Sequence, residues 1–236
     1  GFEGNRRQVN VVEKGFVVAI DGPAGAGKST IARQVAGKLG FAYIDTGAMY
    51  RAVTWKLLQT GEAFSPALAG ELAQRIRIVF VPEGEINRVL VDGTEVTRAI
   101  RSIEVTSLVS KVAAVPAVRE AMVAQQRRMG MEGGIVMDGR DIGTVVFPAA
   151  QCKIFLTASV EERALRRGKE LAAKGEAVNY EQLRTAIARR DKEDSERAVS
   201  PLRQAEDAIY LDTTEMDITR VTEEILRLVN LAQMAH

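Results

Sequence analysis

The sequence predicts an α/β protein: a five-stranded parallel sheet with helices on both faces, a small antiparallel β insert and a helical pair toward the C-terminal end. Three observations carry this. Short apolar, β-branched runs alternate with helix-periodic stretches, the pattern of a parallel sheet with helical crossovers. Between about residues 75 and 96 the period falls to two and an Asp-Gly turn appears, which reads as a hairpin. The chain has 236 residues, 46% hydrophobic and 27% charged, the size and make-up of one globular domain with a sizeable insertion.

The elements follow in order. Phe16–Ile20 is a short apolar run that stops at Asp21-Gly22, a buried strand running into a turn. Lys28–Leu39 places Ile31, Val35 and Leu39 on one helical face, with Gly40 as the stop. Phe41–Ile44 is a second strand ending at Asp45, and a helix is expected over Met49–Gln59. Ile76, Ile78 and Phe80 alternate with Arg77, Val79 and Val81; Arg88–Val91 then leads into Asp92-Gly93. Two helices, 101–115 and 117–129, are separated by Pro116. Core strands return at 134–138, 153–157 and 208–212. Ser159-Val-Glu-Glu162 and Asn179-Tyr-Glu-Gln182 each open a helix as capping boxes do. The last helix is expected over 218–232.

Composition excludes several chemistries. The one histidine is His236, so Ser-His-Asp triads, Cys-His dyads and His-ligated metals are ruled out almost by counting. The one cysteine, Cys152, can form no internal disulfide; it is expected as a buried apolar filler, and a reducing cytoplasm as the compartment. Residues 1–15 hold no apolar block of a secretory signal, and no run is long enough to span a membrane. A net charge of +1 is too balanced for a bulk nucleic-acid or membrane binder. The basic set is 23 Arg against 9 Lys, and the planar guanidinium fork suits phosphate oxygens.

In an open parallel sheet, ligands lie beyond the carboxyl ends of the strands. The segments to read are therefore 21–30, 45–51 and 138–141, together with those flanking the last strand. Gly22-Pro23-Ala24-Gly25-Ala26-Gly27-Lys28-Ser29 matches G-x-x-x-x-G-K-[ST] between a strand and a helix. Its glycines let backbone N–H groups curl around a phosphate, and the helix N-terminus adds partial positive charge. Lys28 would bridge the β- and γ-phosphates, and the Ser29 hydroxyl would reach Mg²⁺. Asp138 is the first choice to hold that metal through water, and Asp21 the second. A nucleoside triphosphate is thus the expected ligand.

The chain has no D-x-x-G and no N/T-K-x-D, which weighs against a GTPase switch. A small-molecule kinase fits its size and needs arginines for two sets of phosphates. Arg51 follows the second strand, Arg140 lies between Asp138 and Asp141, and Arg190, Asp194 and Arg197 share one helical stripe. Arg163, Arg166 and Arg167 share a neighbouring helix.

Four stretches carry a family resemblance: residues 20–30, Asp45-Thr-Gly-Ala-Met-Tyr-Arg51, Asp138-Gly-Arg-Asp-Ile-Gly143 with its continuation to Pro148, and residues 189–202. Over about residues 16–230 the chain resembles the bacterial cytidylate (CMP/dCMP) kinases of the nucleoside monophosphate kinase group. The resemblance implies phosphate transfer from ATP with Mg²⁺ to CMP or dCMP, in a cytoplasmic monomer that binds small nucleotides and neither nucleic acid nor membrane. It implies a single kinase domain over 16–236 after an N-terminal extension 1–15. Within that domain it implies a monophosphate-binding insert of about 64–101 and a lid of about 163–200. It also implies roles. Arg51 and Arg140 hold the CMP phosphate, and Ser110, Arg119 and Asp141 read cytosine. Asp194 meets the sugar hydroxyl, Arg190 and Arg197 reach the exchanged phosphates, and Thr46 and Tyr50 line the acceptor pocket. Arg166 joins residues 22–30 on the ATP side. Lys28, Arg140, Arg190 and Arg197 are the groups expected at the reacting phosphates. Other acceptors (UMP, AMP, or a small molecule such as shikimate) and a non-enzymatic ATP-dependent switch stand as alternatives.

Overall fold

The computed structural model describes residues 15–84, 86–131 and 133–235; the expected N-terminal extension therefore lies, apart from Gly15, outside the described residues. The core sheet holds β1 (Val17–Asp21), β2 (Ala42–Asp45), β6 (Ile135–Gly139), β7 (Cys152–Thr157) and β8 (Ile209–Asp212). Their order is β2-β6-β1-β7-β8, and every pairing is parallel. A second sheet, β3 (Ile78–Glu83), β4 (Ile86–Val91) and β5 (Thr94–Glu95), is antiparallel. Asp92-Gly93 makes its second turn, and both residues have positive φ, 49° and 85°. Both expected sheets are present, each expected strand within about two residues of its span; the two-residue β5 had no expected span.

Successive residues of β1 alternate between two cores, as a pleated strand requires. Val17 and Ala19 pack with α2 (Thr46–Gln59), α3 (Pro66–Arg75), α4 (Ile103–Ala113) and α5 (Pro116–Gly130). Phe16, Val18 and Ile20 pack with α1 (Lys28–Leu39) and α8 (Ile218–Met234). The remaining helices, α6 (Val160–Ala173) and α7 (Tyr180–Glu196), pack on each other. The side chains of Ser159 and Asn179 cap them by accepting from Glu162 N and Gln182 N.

Three features differ from the sequence reading. Helix α2 starts at Thr46, three residues early, because the Asp45 carboxylate caps it by accepting from Ala48 N at 3.1 Å. Helix α3 was not expected; Ser65 caps it, Pro66 occupies its first turn, and a Cβ on Gly70 would lie 2.8 Å from Ala117 Cβ, so it packs closely on α5. After β6 the chain makes a π-helical turn, Ile142–Val146, with no local sequence signal. Cys152 is buried as expected, and burial pushes its thiol up to about 12.

Candidate active site

A cavity of about 1340 Å³ opens at the carboxyl ends of β1, β2 and β6. One wall is the glycine-rich loop, from Ala24 to Thr30. Gly25 and Gly27 adopt φ near +78°, the left-handed region that favours glycine. At Gly22 the reason is space: a Cβ there would sit 1.9 Å from the Leu156 carbonyl oxygen. Gly22 and Pro23 form the root of the loop, with Gly22 N donating to Gly139 O and Pro23 O accepting from Lys28 Nζ at 2.8 Å.

Lys28 is buried. Burial and the nearby Arg140 guanidinium pull its ammonium down to about 7, against the opposing pull of Asp138, Asp194 and Asp21. An anion in the loop would reverse that pull. Asp138 is buried too and accepts from Tyr43 Oη at 2.9 Å. Burial, then the neighbouring Asp45, raises its carboxyl far above the usual range. A buried carboxylate next to another acid, in the same cavity wall as Ser29 and Thr30, fits a hydrated divalent cation. Asp21 does not fit that role. Its two oxygens accept from Ile142 N and Gly143 N, each at 2.8 Å, so it clamps the π-helical turn, and burial lifts its carboxyl to about 6.

The opposite wall carries the expected arginines. Arg51 Nη1 donates to Ile100 O at 3.1 Å and Thr106 Oγ1 at 2.9 Å. Burial, then Arg101, Arg190 and Arg140, pull its guanidinium down to about 10, still charged at neutral pH. Arg140 and Arg190 donate through Nε to the two oxygens of Asp194, both at 3.1 Å, and Arg197 Nη1 stands 3.8 Å from it. Asp194 is therefore a buried hub that gathers three cavity arginines. Burial opposes its charge, but the arginines overcome that and hold it below the usual carboxylate range. Each Asp194 oxygen accepts from one arginine, and a carboxylate oxygen keeps a second lone pair on which the sugar hydroxyl expected there could donate.

Deeper in, Arg119 and Asp141 form an ion pair at 2.9 Å, both almost wholly buried. Arg119 also donates to Ala113 O, and its guanidinium lies 4.5 Å from the centre of the Tyr50 ring. Among the described residues, Arg119 Nε and Arg197 Nη2 are buried without a hydrogen-bond partner, and the Tyr50 hydroxyl and the Gln126 amide, which neighbour each other, make no well-formed hydrogen bond. Buried polar groups are seldom left so; polar groups of a ligand or water would complete them. Thr46 lines the cavity and anchors its hydroxyl on Asp138 O at 2.7 Å. Ser110 sits half-buried on the face of α4 that bears Thr106 and Ser107, but outside the wall itself. Arg166 lines the cavity and is held by Glu162 and Thr213.

Sequence reasoning missed Thr106 and Ser107, which line the cavity; each is an ordinary polar helix residue until the fold aims it. It also grouped Arg163 with Arg166 and Arg167. The structure separates them: Arg163 is buried against Ala24 O and Asp191, whereas Arg167 is exposed at the cavity mouth.

A phosphate loop at the head of a parallel sheet, faced across one cavity by a cluster of arginines, defines a P-loop phosphotransferase. The cytidylate kinase family profile matches residues 18–231, and the chain belongs to that family. It is 56% identical over 221 residues to a cytidylate kinase from Bacillus velezensis, covering 92% of this chain and 98% of that one. Against a cytidylate kinase from Bacillus subtilis the identity is 53% over 219 residues, with the same coverage. A bifunctional pantoate ligase/cytidylate kinase from Trichormus variabilis matches at 55% over 215 residues, 89% of this chain and 40% of that one.

Proposed function

We propose that the protein transfers the γ-phosphate of ATP to CMP or dCMP, giving ADP and CDP or dCDP. The observation that carries this reading is that one cavity joins the phosphate loop to the Arg119–Asp141 pair. Cytosine presents an amine donor beside ring N3 and O2 acceptors. A carboxylate can accept from the amine and a guanidinium can donate to the acceptors. One Asp141 oxygen is bound by Arg119, which leaves the other for the ligand.

In this reading residues 22–30 and Arg166 take ATP. Thr46, Tyr50, Arg51, Arg119, Arg140 and Asp141 take the acceptor, with Ser110 near the base. Arg140, Arg190 and Arg197 face the exchanged phosphates, and Asp194 aims them. An acceptor phosphate oxygen attacks the γ-phosphorus as the bond to the β-phosphate oxygen breaks. That oxygen is already ionised at neutral pH, so no general base is needed, which suits a chain whose one histidine is its last residue. The chain's part is in-line positioning and charge stabilisation by Lys28 and the arginines. Ser29 or Thr30, with Asp138 through water, would hold Mg²⁺, which supplies charge neutralisation at the β- and γ-phosphates. The α6–α7 pair serves as the lid that excludes water. The segment 64–101, with α3 and the small sheet, serves as the monophosphate-binding insert. In this reading the protein handles small nucleotides as a cytoplasmic monomer; separately, among the described residues no helix is long and apolar enough to cross a membrane.

The test is ADP formation from ATP and Mg²⁺ with CMP, dCMP, UMP, AMP or GMP as acceptor. Turnover with CMP and dCMP at least tenfold better than with UMP supports the reading. A preference for AMP or GMP overturns the cytosine assignment.

A further inference from the structure

The most fully bonded arginine near the site is one that does not line the cavity. Arg163, on α6, is 3% exposed. Its Nε donates to Ala158 O at 2.9 Å, and its Nη1 donates to Ala24 O at 3.0 Å. Nη1 and Nη2 together grip the Asp191 carboxylate of α7 at 2.8 and 2.6 Å. One guanidinium thus ties the phosphate loop, its own helix and the next helix together.

The contact with Ala24 has a directional consequence. In a trans peptide the C=O and N–H point to opposite sides. With Ala24 O held by Arg163, the Gly25 N–H of the same peptide is turned away from Arg163. Gly25 packs on the same group: a Cβ there would lie 3.5 Å from Arg163 Cβ and 3.9 Å from Ile187 Cδ1 of α7. Gly25 has φ +77° and lines the cavity. A flexible, glycine-rich loop needs something outside itself to fix which way its amides face, and the helix on its far side supplies it.

We propose that Arg163, locked by Asp191, is a positioning residue for phosphate transfer: it sets the Ala24–Gly25 peptide so that the loop amides face the donor phosphates. Asp191 supplies the counter-charge that lets a guanidinium stay buried there and the second bond that fixes its plane. Because Asp191 lies on α7 between Arg190 and Asp194, the same pair fastens the helix bearing the phosphate-facing groups to the loop. This rests on the kinase reading for its chemistry, but its test needs no acceptor.

Lysine cannot hold a carbonyl and both carboxylate oxygens in one plane, so Arg163→Lys keeps the charge and loses the geometry. Binding of the non-hydrolysable analogue β,γ-imido-ATP with Mg²⁺ is measured by calorimetry in the absence of acceptor, for the wild type, Arg163→Lys, Asp191→Asn and Asp191→Glu. We expect Arg163→Lys to weaken analogue binding at least tenfold, and Asp191→Asn about threefold to tenfold, with Asp191→Glu recovering most of the loss. In steady state the KM for ATP should rise by similar factors while the KM for CMP stays within about twofold. If Arg163→Lys fails to fold, Asp191→Asn carries the test. The proposal is overturned if folded Arg163→Lys or folded Asp191→Asn binds the analogue within twofold of the wild type, even at a lowered melting temperature, since that is the mark of a purely structural pair. A protein that binds the analogue as expected but turns over no CMP would overturn the acceptor assignment and leave this proposal standing.

Discussion

Substituting Asp141 by Asn tests the base-reading assignment most sharply, because the structure fixes how the new amide must sit. In the wild type, Arg119 Nη2 donates to Asp141 Oδ2 at 2.9 Å. An asparagine must turn its carbonyl oxygen to that donor, since turning its NH₂ there would set two donors against each other. The NH₂ then faces the ligand. It opposes the amine of cytosine and suits the O4 of uracil, so discrimination should move toward UMP rather than merely weaken. A mismatched buried polar pair costs about 1–3 kcal/mol, roughly 5- to 150-fold in relative kcat/KM. The stability cost is separate. The pair is almost fully buried, and removing a partner outright from such a pair costs about 3–5 kcal/mol. Asparagine keeps the acceptor, so about 2 kcal/mol is expected, or a melting temperature lower by roughly 4–8 °C for a chain of this size. The assay is kcat/KM for CMP and UMP in wild type and variant, with thermal melting alongside. A folded variant whose CMP/UMP ratio stays within twofold of wild type would refute the assignment.

Four further outcomes follow from the same geometry. Thr106→Val removes the hydroxyl that receives Arg51 Nη1, and should raise the KM for CMP about threefold to tenfold while leaving the KM for ATP unchanged. Gly22→Ala places a Cβ 1.9 Å from the Leu156 carbonyl; it should abolish ATP binding or folding, read by calorimetry and circular dichroism. The Asp21 carboxyl is raised from 3.8 to about 6, so the folded state binds the extra proton and stability falls as pH rises between those values, by about 3 kcal/mol at most. Asp21→Asn should flatten that part of the stability-versus-pH curve in urea titrations; an unchanged slope would contradict it. Lys28, held down to about 7 without ligand, should regain its proton when phosphates arrive. ATP binding without metal at pH 8 should therefore take up protons, seen as a dependence of binding enthalpy on buffer ionisation, and Lys28→Met should lose most of that uptake.

The sequence by itself determined the parallel core and the place of the site. Apolar runs that end at Asp21, Asp45 and Asp138 must be buried strands that stop at the same sheet edge, and a glycine-rich turn between strand and helix has few uses other than holding phosphate. Those signals are local, carried by residues within one turn or one strand. What only the tertiary structure decided is longer in range. Helix α3 is short and built largely of small residues, and it owes its fit to close packing against α5. The π-helical turn after β6 exists because Asp21, 121 residues away, accepts the Ile142 amide. The arginines could be read as phosphate binders, but their division of labour could not. Arg140 and Arg190 are gathered by Asp194, Arg51 is braced by Thr106, and Arg163 is withdrawn from the cavity to brace the loop. A guanidinium's role depends on which acceptors surround it, and those acceptors come from segments that only folding brings together.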